Sequence, residues 1–332
     1  MKTAIIIGYG GMGKRYHLAL KKCNIKVLQI YDPKIKNKFV DKVPIYGNLK
    51  DYKKLSADLV CVAANTKNRF EITKNILKKS NIKKIITEKP LSVSYEKCLF
   101  LKKLIDKTDK RLLVNTHRSY SKNFLMIKNF FKNKDEKISH IFINSPAAGI
   151  GNMGSTFFDI VQFFIEKKPD TIYANLDKSK TPNPRGKIFK DPGAFGIINY
   201  KDQAKVFFDL SEDTGLPYKI VFKSKNFELK FDEINNQLFV EERPKKLRIK
   251  PLYYYLFKPK TYKIKLAHKF DVVNMTAVCI KKIFSKKFDK SNFNRNLIVS
   301  EIISAVFASS YQKKLIKFPL NKKYHKIECN FA

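Results

Sequence analysis

The stretch that decides the fold is residues 3–23, TAIIIGYGGMGKRYHLALKKC. A short apolar, β-branched run leads into the glycine pattern G-x-G-x-x-G at Gly8, Gly10 and Gly13, and an amphipathic helical pattern follows. In this context the first glycine allows a tight turn, the second lets backbone approach a pyrophosphate, and the third allows close packing of helix on strand. The stretch therefore predicts a nucleotide-binding turn. The other residues of this turn, which we expect to line the same phosphate site, are Tyr9, Gly11 and Met12.

A second strand pattern, KVLQIYD, ends at Asp32, nineteen residues after Gly13. A carboxylate at this place accepts hydrogen bonds from the ribose hydroxyls of NAD. Glycine-rich turns also occur in other α/β domains, but the glycines and the acidic residue together favour a dinucleotide-binding unit. We therefore expect NAD as the cofactor, with NADP as the less favoured alternative.

Strand and helix patterns then alternate along the chain. The strand patterns ADLVCVAAN, IKKIITEKP and RLLVNTHRS are separated by the helical patterns RFEITKNILKKS and SYEKCLFLKKLIDKT. Such alternation predicts a parallel, doubly wound sheet that binds ligands beyond the carboxyl ends of its strands. The polar residues that stand at these strand ends are Asn65, Glu88, Lys89 and Asn115.

The chain has 332 residues, more than one hydrophobic core usually supports, so we expect two domains. The alternation occupies residues 1–120. Residues 184–242 contain short period-two patterns such as GAFGIINY and FELKFDE, which are typical of antiparallel strands. We therefore predict an α/β protein with a Rossmann domain at 1–120, built on a doubly wound parallel sheet, and an α+β domain at 121–332 with a large, mainly antiparallel sheet.

The formal net charge of +39 is high enough to suggest a polyanionic partner. The basic residues, however, are 60 Lys and only eight Arg, and they are spread over every segment. Recognition of phosphates and bases favours the forked guanidinium of Arg. The charge is therefore interpreted mainly as a solvated surface, and no specific nucleic-acid partner is expected.

The cysteines form no C-x-x-C pair, so neither a metal site nor a disulfide framework is expected. An odd number of thiols, without a leader pattern, is typical of a reducing cytosol. No apolar run approaches the roughly 18 residues that a membrane span needs. We expect a cytoplasmic protein that does not cross a membrane. The five cysteines are Cys23, Cys61, Cys98, Cys279 and Cys329.

At TEKPLSVS, residues 87–94, the sequence begins to resemble a known family. The glycine turn, a strand that ends in Glu-Lys-Pro about 75 residues later, and the following Asn-x-x-Arg at 115–118 are similar to the Gfo/Idh/MocA family, named after glucose-fructose oxidoreductase and inositol dehydrogenase. The resemblance extends to the sheet pattern of 184–242 and to a closing helix and strand. It implies an NAD-dependent oxidoreductase that assembles as a homo-oligomer, a dimer or a tetramer.

In such enzymes the lysine of Glu-Lys-Pro lies beside the nicotinamide and takes part in proton transfer, a role that the resemblance gives to Lys89. Hydride transfer at a carbinol carbon needs a nearby group that exchanges the hydroxyl proton, and a partly desolvated lysine, its pKa lowered toward 7, can serve. Glu88 and Asn115 would hold the nicotinamide end of the cofactor. The family often has His where Arg69 stands, a departure on the cofactor side.

A second departure lies in NMGSTFFD, residues 152–159, which aligns with the family pattern D-x-x-x-H-x-x-D. Spacings of four and three put Asn152, Thr156 and Asp159 on one face of a predicted helix. Asn and Thr can bind a sugar hydroxyl, but neither titrates near neutrality, so the role of the family His is vacant. The residues that we predict to contact substrate are Lys89, Arg118, Asn152, Thr156 and Asp159.

Three residues could supply the missing proton-transfer group: His117 and Tyr120 near the end of the fifth strand pattern, and Asp159 on the helix face. His117 lies two positions after Asn115 and shares its face if the strand continues. Tyr120 offers a phenol just beyond. We therefore predict Lys89, His117 and Tyr120 as the catalytic residues. The alternative for His117 is a half-buried histidine at the end of a strand.

These features predict hydride transfer between NAD and a hydroxyl or keto carbon of a sugar or sugar derivative, including a nucleotide sugar of surface-glycan synthesis. Two alternatives remain open: a non-catalytic, NAD-binding regulatory protein on the same fold, and a basic protein that binds polyanions. Fold alone does not decide among them.

Residues 243–265, RPKKLRIKPLYYYLFKPKTYKIK, combine seven Lys and two Arg with five aromatic residues. This mixture suits a single nucleic-acid strand, an anionic membrane surface or the diphosphate of a nucleotide sugar. We favour a simpler interpretation, in which a proline-punctuated loop leads into an edge strand whose lysines discourage pairing with other chains.

Overall fold

The computed structural model describes residues 1–332 except positions 36, 37, 147, 148, 178–182, 184, 185, 187, 202, 203, 212–214, 267, 330 and 332. The described strands form one sheet of seven strands and one of nine. The first is mostly parallel and the second mostly antiparallel, so the predicted fold class is confirmed.

The first sheet consists of β1 (Thr3–Ile7), β2 (Lys26–Tyr31), β3 (Lys38–Val40), β4 (Val43–Tyr46), β5 (Leu59–Val62), β6 (Lys84–Thr87) and β7 (Arg111–Val114). Their order is β3-β4-β2-β1-β5-β6-β7, and only the β3–β4 pair is antiparallel. The strand order changes direction at β1 and β5. Ligands bind at such a switch point, beyond the carboxyl ends of the strands, and the glycine turn lies there because it follows β1.

Three helices alternate with these strands: α1 (Gly11–Lys22), α2 (Thr66–Lys79) and α3 (Tyr95–Asp106). The apolar positions of α1, three and four residues apart, bury Tyr16, Ala19 and Leu20 against one face of the sheet. Helices α2 and α3 belong to a separate cluster on residues such as Ile5 and Val60, which point the other way from their neighbours in the strands. Both faces of the parallel sheet are therefore covered.

The second sheet consists of β8 (His140–Asn144), β9 (Pro169–Leu176), β10 (Ala194–Tyr200), β11 (Lys205–Asp209), β12 (Lys219–Lys223), β13 (Phe227–Asp232), β14 (Gln237–Glu242), β15 (Lys260–Lys265) and β16 (Ile316–Lys317). The order is β15-β14-β13-β12-β8-β11-β10-β9-β16, and the β8–β11 pair is parallel. Strand β15 is therefore an edge strand, which confirms that part of the prediction for 243–265.

Four more helices follow: α4 (Lys122–Asn133), α5 (Ser155–Ile165), α6 (Val272–Ile283) and α7 (Ser291–Gln312). Helices α4, α5 and α7 supply the core on one face of the second sheet, through residues such as Phe124, Phe158 and Val306. In the parts of the chain that the structure describes, no helix has both the length and the apolar content needed to cross a membrane.

Helix α6 returns to the first sheet. Its residues Ala277, Cys279 and Ile280 join the cluster of α1, and the helix also contacts the short 3₁₀ turn His117–Tyr120. The predicted division after residue 120 coincides with the end of the first sheet's strands, and we keep it as a proposal. The N-terminal core nevertheless includes this late helix, since its apolar face packs on α1.

The predicted single helix from Asn152 onward is wrong at its start. A π-helical turn, Gly149–Gly154, precedes α5, which begins at Ser155. The wider turn changes the angle between successive residues, so the 3.6-residue spacing that aligned Asn152 with Thr156 does not apply across the junction. Such turns often occur at functional sites.

Candidate functional site

In the turn after β1, packing requires glycine at two positions. At two others, the space that a Cβ would occupy is open. Gly8 has a φ of 92°, and a Cβ there would lie 2.7 Å from the backbone carbon of Ala63. A Cβ on Gly13 would lie 2.1 Å from the carbonyl oxygen of Gly8. Gly10 and Gly11 have nothing within 4 Å of such a Cβ. The turn thus leaves room for a ligand at the N-terminus of α1, where amide groups attract anions.

The Asp32 carboxylate lies beside this turn. Its two oxygens accept hydrogen bonds from the amides of Tyr9, at 2.7 Å, and Lys34, at 2.8 Å. These bonds fix the carboxylate at the end of β2, and each oxygen keeps a further lone pair for a ligand hydroxyl. The Tyr9 side chain is buried, and its hydroxyl is 2.8 Å from Nδ1 of His17, so this residue faces the crevice through its backbone.

Two more of the residues predicted to bind the cofactor, Met12 and Asn65, lie at the starts of helices α1 and α2. Met12 is half-buried in the first turn of α1. Asn65 is exposed and caps α2, its side-chain oxygen accepting the amide of Asn68 at 3.0 Å. Both residues stand at the carboxyl edge of the sheet, since α1 follows β1 and α2 follows β5.

Arg69 links the ends of two strands. The side chain is buried, and its guanidinium donates to the Ala64 carbonyl from Nε at 3.2 Å and from a terminal nitrogen at 2.9 Å. It also donates to the carbonyl of Pro90. Arg69 therefore fixes the Glu-Lys-Pro segment against the segment that follows β5.

Glu88 and Asn115 form a buried pair at the ends of β6 and β7. Asn115 Nδ2 donates to Glu88 Oε1 at 2.7 Å and lies 3.5 Å from the hydroxyl of Thr276 in α6. Asn115 Oδ1 is buried and accepts no hydrogen bond from the described residues. A buried polar atom without a partner is costly, so this oxygen is a place where a ligand donor would be stabilised.

Lys89 joins the two domains. Its Nζ donates to the backbone carbonyl of Asn152 at 2.6 Å and to the side-chain oxygen of the same residue at 2.9 Å. The π-helical turn that carries Asn152 is fixed in turn by Asp191, whose carboxylate accepts the amides of Gly151 at 2.7 Å and Asn152 at 2.9 Å. The position of the ammonium group therefore depends on both domains.

His117 and Arg118 follow Asn115 in the 3₁₀ turn. The strand ends at Val114, so His117 is not placed by strand alternation as the sequence suggested. Burial, with the positive charges of Arg118 and Lys89, lowers the pKa of His117 to about 3. Its imidazole is therefore neutral at pH 7 and its buried Nδ1 has no partner among the described residues.

The Arg118 guanidinium forms an ion pair with Glu233, at 3.2 Å, and lies over the ring of Phe270, at 4.0 Å from its centroid. The pair is half-buried. Glu233 precedes β14, so Arg118 connects the 3₁₀ turn to the second sheet. If Arg118 contacts substrate as predicted, its guanidinium must bind both the substrate and the Glu233 carboxylate.

Asp159 lies three positions after Thr156 within α5, but its carboxylate is held in an ion pair. Its carboxylate, 1% exposed, accepts a hydrogen bond from Arg295 Nε of α7 at 3.1 Å. The same guanidinium donates to the hydroxyl of Ser119 at 3.1 Å, and Ser119 donates to the Thr116 carbonyl at 2.9 Å. Asp159 and Arg295 thus form a buried ion pair, and through Arg295 this pair holds the turn that carries His117.

Tyr120 belongs to the surroundings of this ion pair. Burial raises the pKa of its phenol, and the neighbouring charges that act on it include Arg295 and Asp159. The Lys282 ammonium lies 4.8 Å from its ring centroid. Thr156, in the first turn of α5, is also almost completely buried. Of the predicted catalytic and substrate residues, the structure therefore brings Lys89 together with Asn152, and groups Tyr120 with Asp159.

Several residues that position the site were not predicted from the sequence. Asn292 of α7 holds the end of β7: its side chain accepts the amide of Val114 at 2.8 Å and donates to the carbonyl of Val114 and the hydroxyl of Thr116, each at 3.1 Å. Arg295, Asp191 and Thr276 act in the same region. The polar cluster SNFNR at the start of a long apolar helix pattern is the signal that could have identified Asn292 and Arg295.

The geometry is that of a dinucleotide-binding Rossmann domain joined to a second domain with a mainly antiparallel sheet. Residues 2–116 match the model of the family described as "Oxidoreductase family, NAD-binding Rossmann fold", GFO_IDH_MocA. This part of the chain belongs to that family, and the resemblance inferred from its motifs is confirmed. No curated protein matches the sequence.

Solved structures share the fold over nearly the whole chain. Levoglucosan dehydrogenase in complex with NADH has 12% identity and a TM-score of 0.76, covering 96% of this chain and 100% of its own. An oxidoreductase from Agrobacterium radiobacter, in complex with NAD⁺, L-tartaric acid and magnesium, has 14% identity and a TM-score of 0.75, with 95% and 98% covered.

The transcriptional regulator Gal80p from Kluyveromyces lactis is similar to the same extent, with 16% identity, a TM-score of 0.73, and 98% of this chain and 92% of its own covered. Likeness at such low identity establishes the shared two-domain fold. It does not distinguish an enzyme from a regulator.

Proposed function

We propose that the protein is an NAD-dependent oxidoreductase that transfers a hydride between nicotinamide and a hydroxyl or keto carbon of a sugar or sugar derivative. The observation that carries the proposal is the contact of Lys89 Nζ with Asn152 across the domain junction. A basic group at the end of β6, held from the opposite domain, is suited to exchange a proton with a substrate bound between the domains.

The residues at the carboxyl edge of the first sheet fit a dinucleotide. The open glycine turn and the α1 N-terminus would hold the pyrophosphate, Asp32 the ribose hydroxyls, and Asn115 Oδ1 a donor at the nicotinamide end. When bound, NAD supplies the group that accepts or gives the hydride. Asn65 and Glu88 complete the proposed cofactor set.

Within this proposal, Lys89 Nζ accepts or returns the hydroxyl proton, and Asn152 fixes its position. Neutral His117 can donate or accept one hydrogen bond at a substrate hydroxyl, because its lowered pKa keeps it uncharged at pH 7. Thr156 is proposed to bind a second hydroxyl. Asp159 then contributes by positioning the His117 turn through Arg295.

The substrate class follows from the types of residue proposed to meet it. Amide, hydroxyl and neutral imidazole groups bind polyols without needing a charged partner. We propose a small carbohydrate, including a nucleotide sugar used in surface-glycan synthesis, and a homo-oligomeric enzyme. The likeness in fold to levoglucosan dehydrogenase supports a sugar-derived substrate.

The alternative function is a non-catalytic, NAD-binding regulator. This alternative is favoured by the likeness to Gal80p. It is also favoured by the residue at position 156, because the side chain of Thr156 does not titrate near neutral pH. The experiment that separates the two is a screen for NADH formation and NADH consumption against free and nucleotide-linked sugars, with NAD binding measured in parallel. Turnover that Lys89→Ala abolishes supports the enzyme. Firm NAD binding with no turnover on any sugar supports the regulator.

A further inference from the structure

The loop between β14 and β15, residues 243–259, exposes a large apolar surface. Six large side chains in it are between 51% and 88% exposed. Single exposed apolar residues are ordinary, but a contiguous group marks a binding surface. The six residues, called here the apolar patch, are Ile249, Leu252, Tyr253, Tyr254, Tyr255 and Leu256.

This loop is folded around a buried arginine. The guanidinium of Arg243 donates to the carbonyls of Leu247 and Pro251, each at 3.2 Å, and of Tyr254 at 3.1 Å. It also lies over the ring of Phe257, 5.1 Å from the centroid. The backbone is thus bound on its inner side, and the apolar patch is held outward instead of collapsing onto the protein.

The same loop is strongly basic. Lys245, Lys246, Lys250 and Lys258 are exposed, and the sequence contains no Asp or Glu from 243 to 259. The loop belongs to a chain of net charge +39. Docking this surface on a second copy would bring like charges together, whereas an anionic partner would be attracted.

We propose that residues 243–259 dock the protein on the surface of an anionic lipid bilayer. Tyr and Leu at the tip would enter the headgroup region, while the lysines around them contact lipid phosphates. A nucleic acid would be attracted by the same lysines, and tyrosines can stack on bases. The exposed aliphatic side chains of Ile249, Leu252 and Leu256 favour a bilayer, because a phosphate backbone offers no apolar interior to bury them.

The docking loop and the candidate site lie at opposite ends of β14. The strand runs from Gln237, close to Glu233 and its partner Arg118, to Glu242, where the loop begins. Six residues of extended strand separate the two ends by roughly 20 Å. Docking therefore leaves the site uncovered, and changes in the loop should not alter NAD binding.

The test is flotation of the purified full-length protein with vesicles of phosphatidylcholine containing roughly 30% phosphatidylglycerol, which supplies the anionic headgroups. We expect the protein to float with these vesicles and to remain below vesicles of phosphatidylcholine alone. Lys245→Gln/Lys246→Gln/Lys250→Gln should weaken partitioning about 100-fold, because each lysine near an anionic surface contributes substantially to binding.

The matched control for the lysines is Lys107→Gln/Lys286→Gln/Lys287→Gln, which removes the same charge from exposed positions elsewhere. It should reduce partitioning far less. An equal reduction by both triple variants would show that only net charge acts, and would overturn the assignment to this loop.

The apolar contribution is tested with Leu252→Ser/Tyr253→Ser/Leu256→Ser, which should weaken partitioning about tenfold or more since it removes the inserted groups. The control, Phe39→Ser/Tyr311→Ser/Leu315→Ser, changes exposed apolar residues at other places and should have little effect. Unchanged NAD binding by the loop variant shows that it is folded.

Three results would overturn the proposal. One is failure of the unaltered protein to float with anionic vesicles. Another is binding to single-stranded polynucleotide that survives at about 0.2 M salt and is lost in the loop variants, which would identify a nucleic-acid partner. The third is dissociation of an oligomer by the apolar variant, which would show that a second copy covers the loop.

Discussion

The ammonium group of Lys89 donates to both oxygens of Asn152, at 2.6 Å from the backbone carbonyl and 2.9 Å from the side-chain amide. One residue stands at the end of a strand in the parallel sheet and the other in the π-helical turn before α5. The contact therefore fixes both the reactive lysine of the proposed enzyme and the relation between the two domains.

Replacing Lys89 by Ala should lower kcat by about 100-fold or more, the usual scale for loss of a positioned proton-transfer group, while NAD still binds. Asn152→Ala keeps the backbone acceptor and should lower kcat by only about tenfold, since Lys89 loses one of two bonds. Steady-state kinetics and calorimetry measure both. The control is Lys83→Ala, at an exposed ion pair with Asp109. Normal turnover by Lys89→Ala would remove this residue from the mechanism.

The first sheet was largely predictable because its signals are local. A glycine at φ 92° and a glycine whose Cβ would collide with the preceding turn leave a recognisable pattern, as do the alternating periods of strand and helix. The sequence did not reveal that α6 returns to α1, because the packing partners are about 250 residues apart and helical period does not specify a partner.

The site was predicted less completely, for a similar reason. Lys89 and Asn152 meet, but the expected face of Asn152, Thr156 and Asp159 relied on one continuous α-helix, and the π-helical turn changes the register. Asp159 pairs with Arg295, 136 positions later. Charged residues in both helices were visible in the sequence, but only the packing of α5 on α7 selects the pair.

The glycine turn gives a test that separates folding from cofactor binding. Gly10 has ordinary backbone angles and open space at its Cβ position, so Gly10→Ala should fold normally and weaken NAD binding by about tenfold or more, because a methyl group enters the pyrophosphate site. Gly13→Ala puts a methyl group against the Gly8 carbonyl and should reduce the free energy of unfolding by about 3 kcal/mol. Thermal denaturation and calorimetry check the two variants. Tight NAD binding by stable Gly10→Ala would exclude the proposed pyrophosphate site.

Asp32 should make NAD bind more tightly than NADP, because its carboxylate would repel a 2′-phosphate. Asp32→Ser should reduce the difference in affinity between NAD and NADP. Calorimetry with both cofactors measures it, and Asp58→Ser, at an exposed carboxylate bonded to Thr3, is a suitable control. If the unaltered protein prefers NADP, the neighbouring lysines Lys34 and Lys38 determine the choice instead.

The ion pair of Asp159 with Arg295 predicts a difference in stability between two Asp→Asn changes. Asp159 is 1% exposed, so Asp159→Asn leaves a buried guanidinium charge without its partner and should lower the free energy of unfolding by about 3 kcal/mol. Asp109→Asn breaks an exposed pair with Lys83 and should change it by less than about 1 kcal/mol. Urea denaturation of both variants gives the comparison. Equal effects would mean that the buried pair is not a structural link between α5 and α7.

Thr156 and His117 should differ in their kinetic effects. Thr156→Val should chiefly raise KM, by about fivefold, since it removes a hydrogen bond worth about 1 kcal/mol in ground state and transition state alike. His117→Asn should lower kcat, because the imidazole is proposed to assist Lys89 at the reacting hydroxyl. If turnover exists and Thr156→Val abolishes it while His117→Asn and Tyr120→Phe have no effect, this assignment is wrong.

The pH dependence distinguishes how His117 acts. Its pKa is lowered to about 3 in the folded chain, against about 6.5 in the unfolded chain. The unfolded state therefore takes up the proton first, and the contribution of neutral His117 to stability is present above about pH 6.5 and is lost as the pH falls toward 3. Thermal denaturation between pH 7 and pH 4 should show a smaller acid-induced loss of stability in His117→Asn than in the unaltered protein.

The dependence of kcat on pH gives a second test. A titrating His117 would cause an inflection near pH 6.5 that His117→Asn removes, and we expect no such inflection in the unaltered enzyme. Such an inflection would mean that His117 becomes charged during turnover and acts as a base, and not as a neutral hydrogen-bonding group.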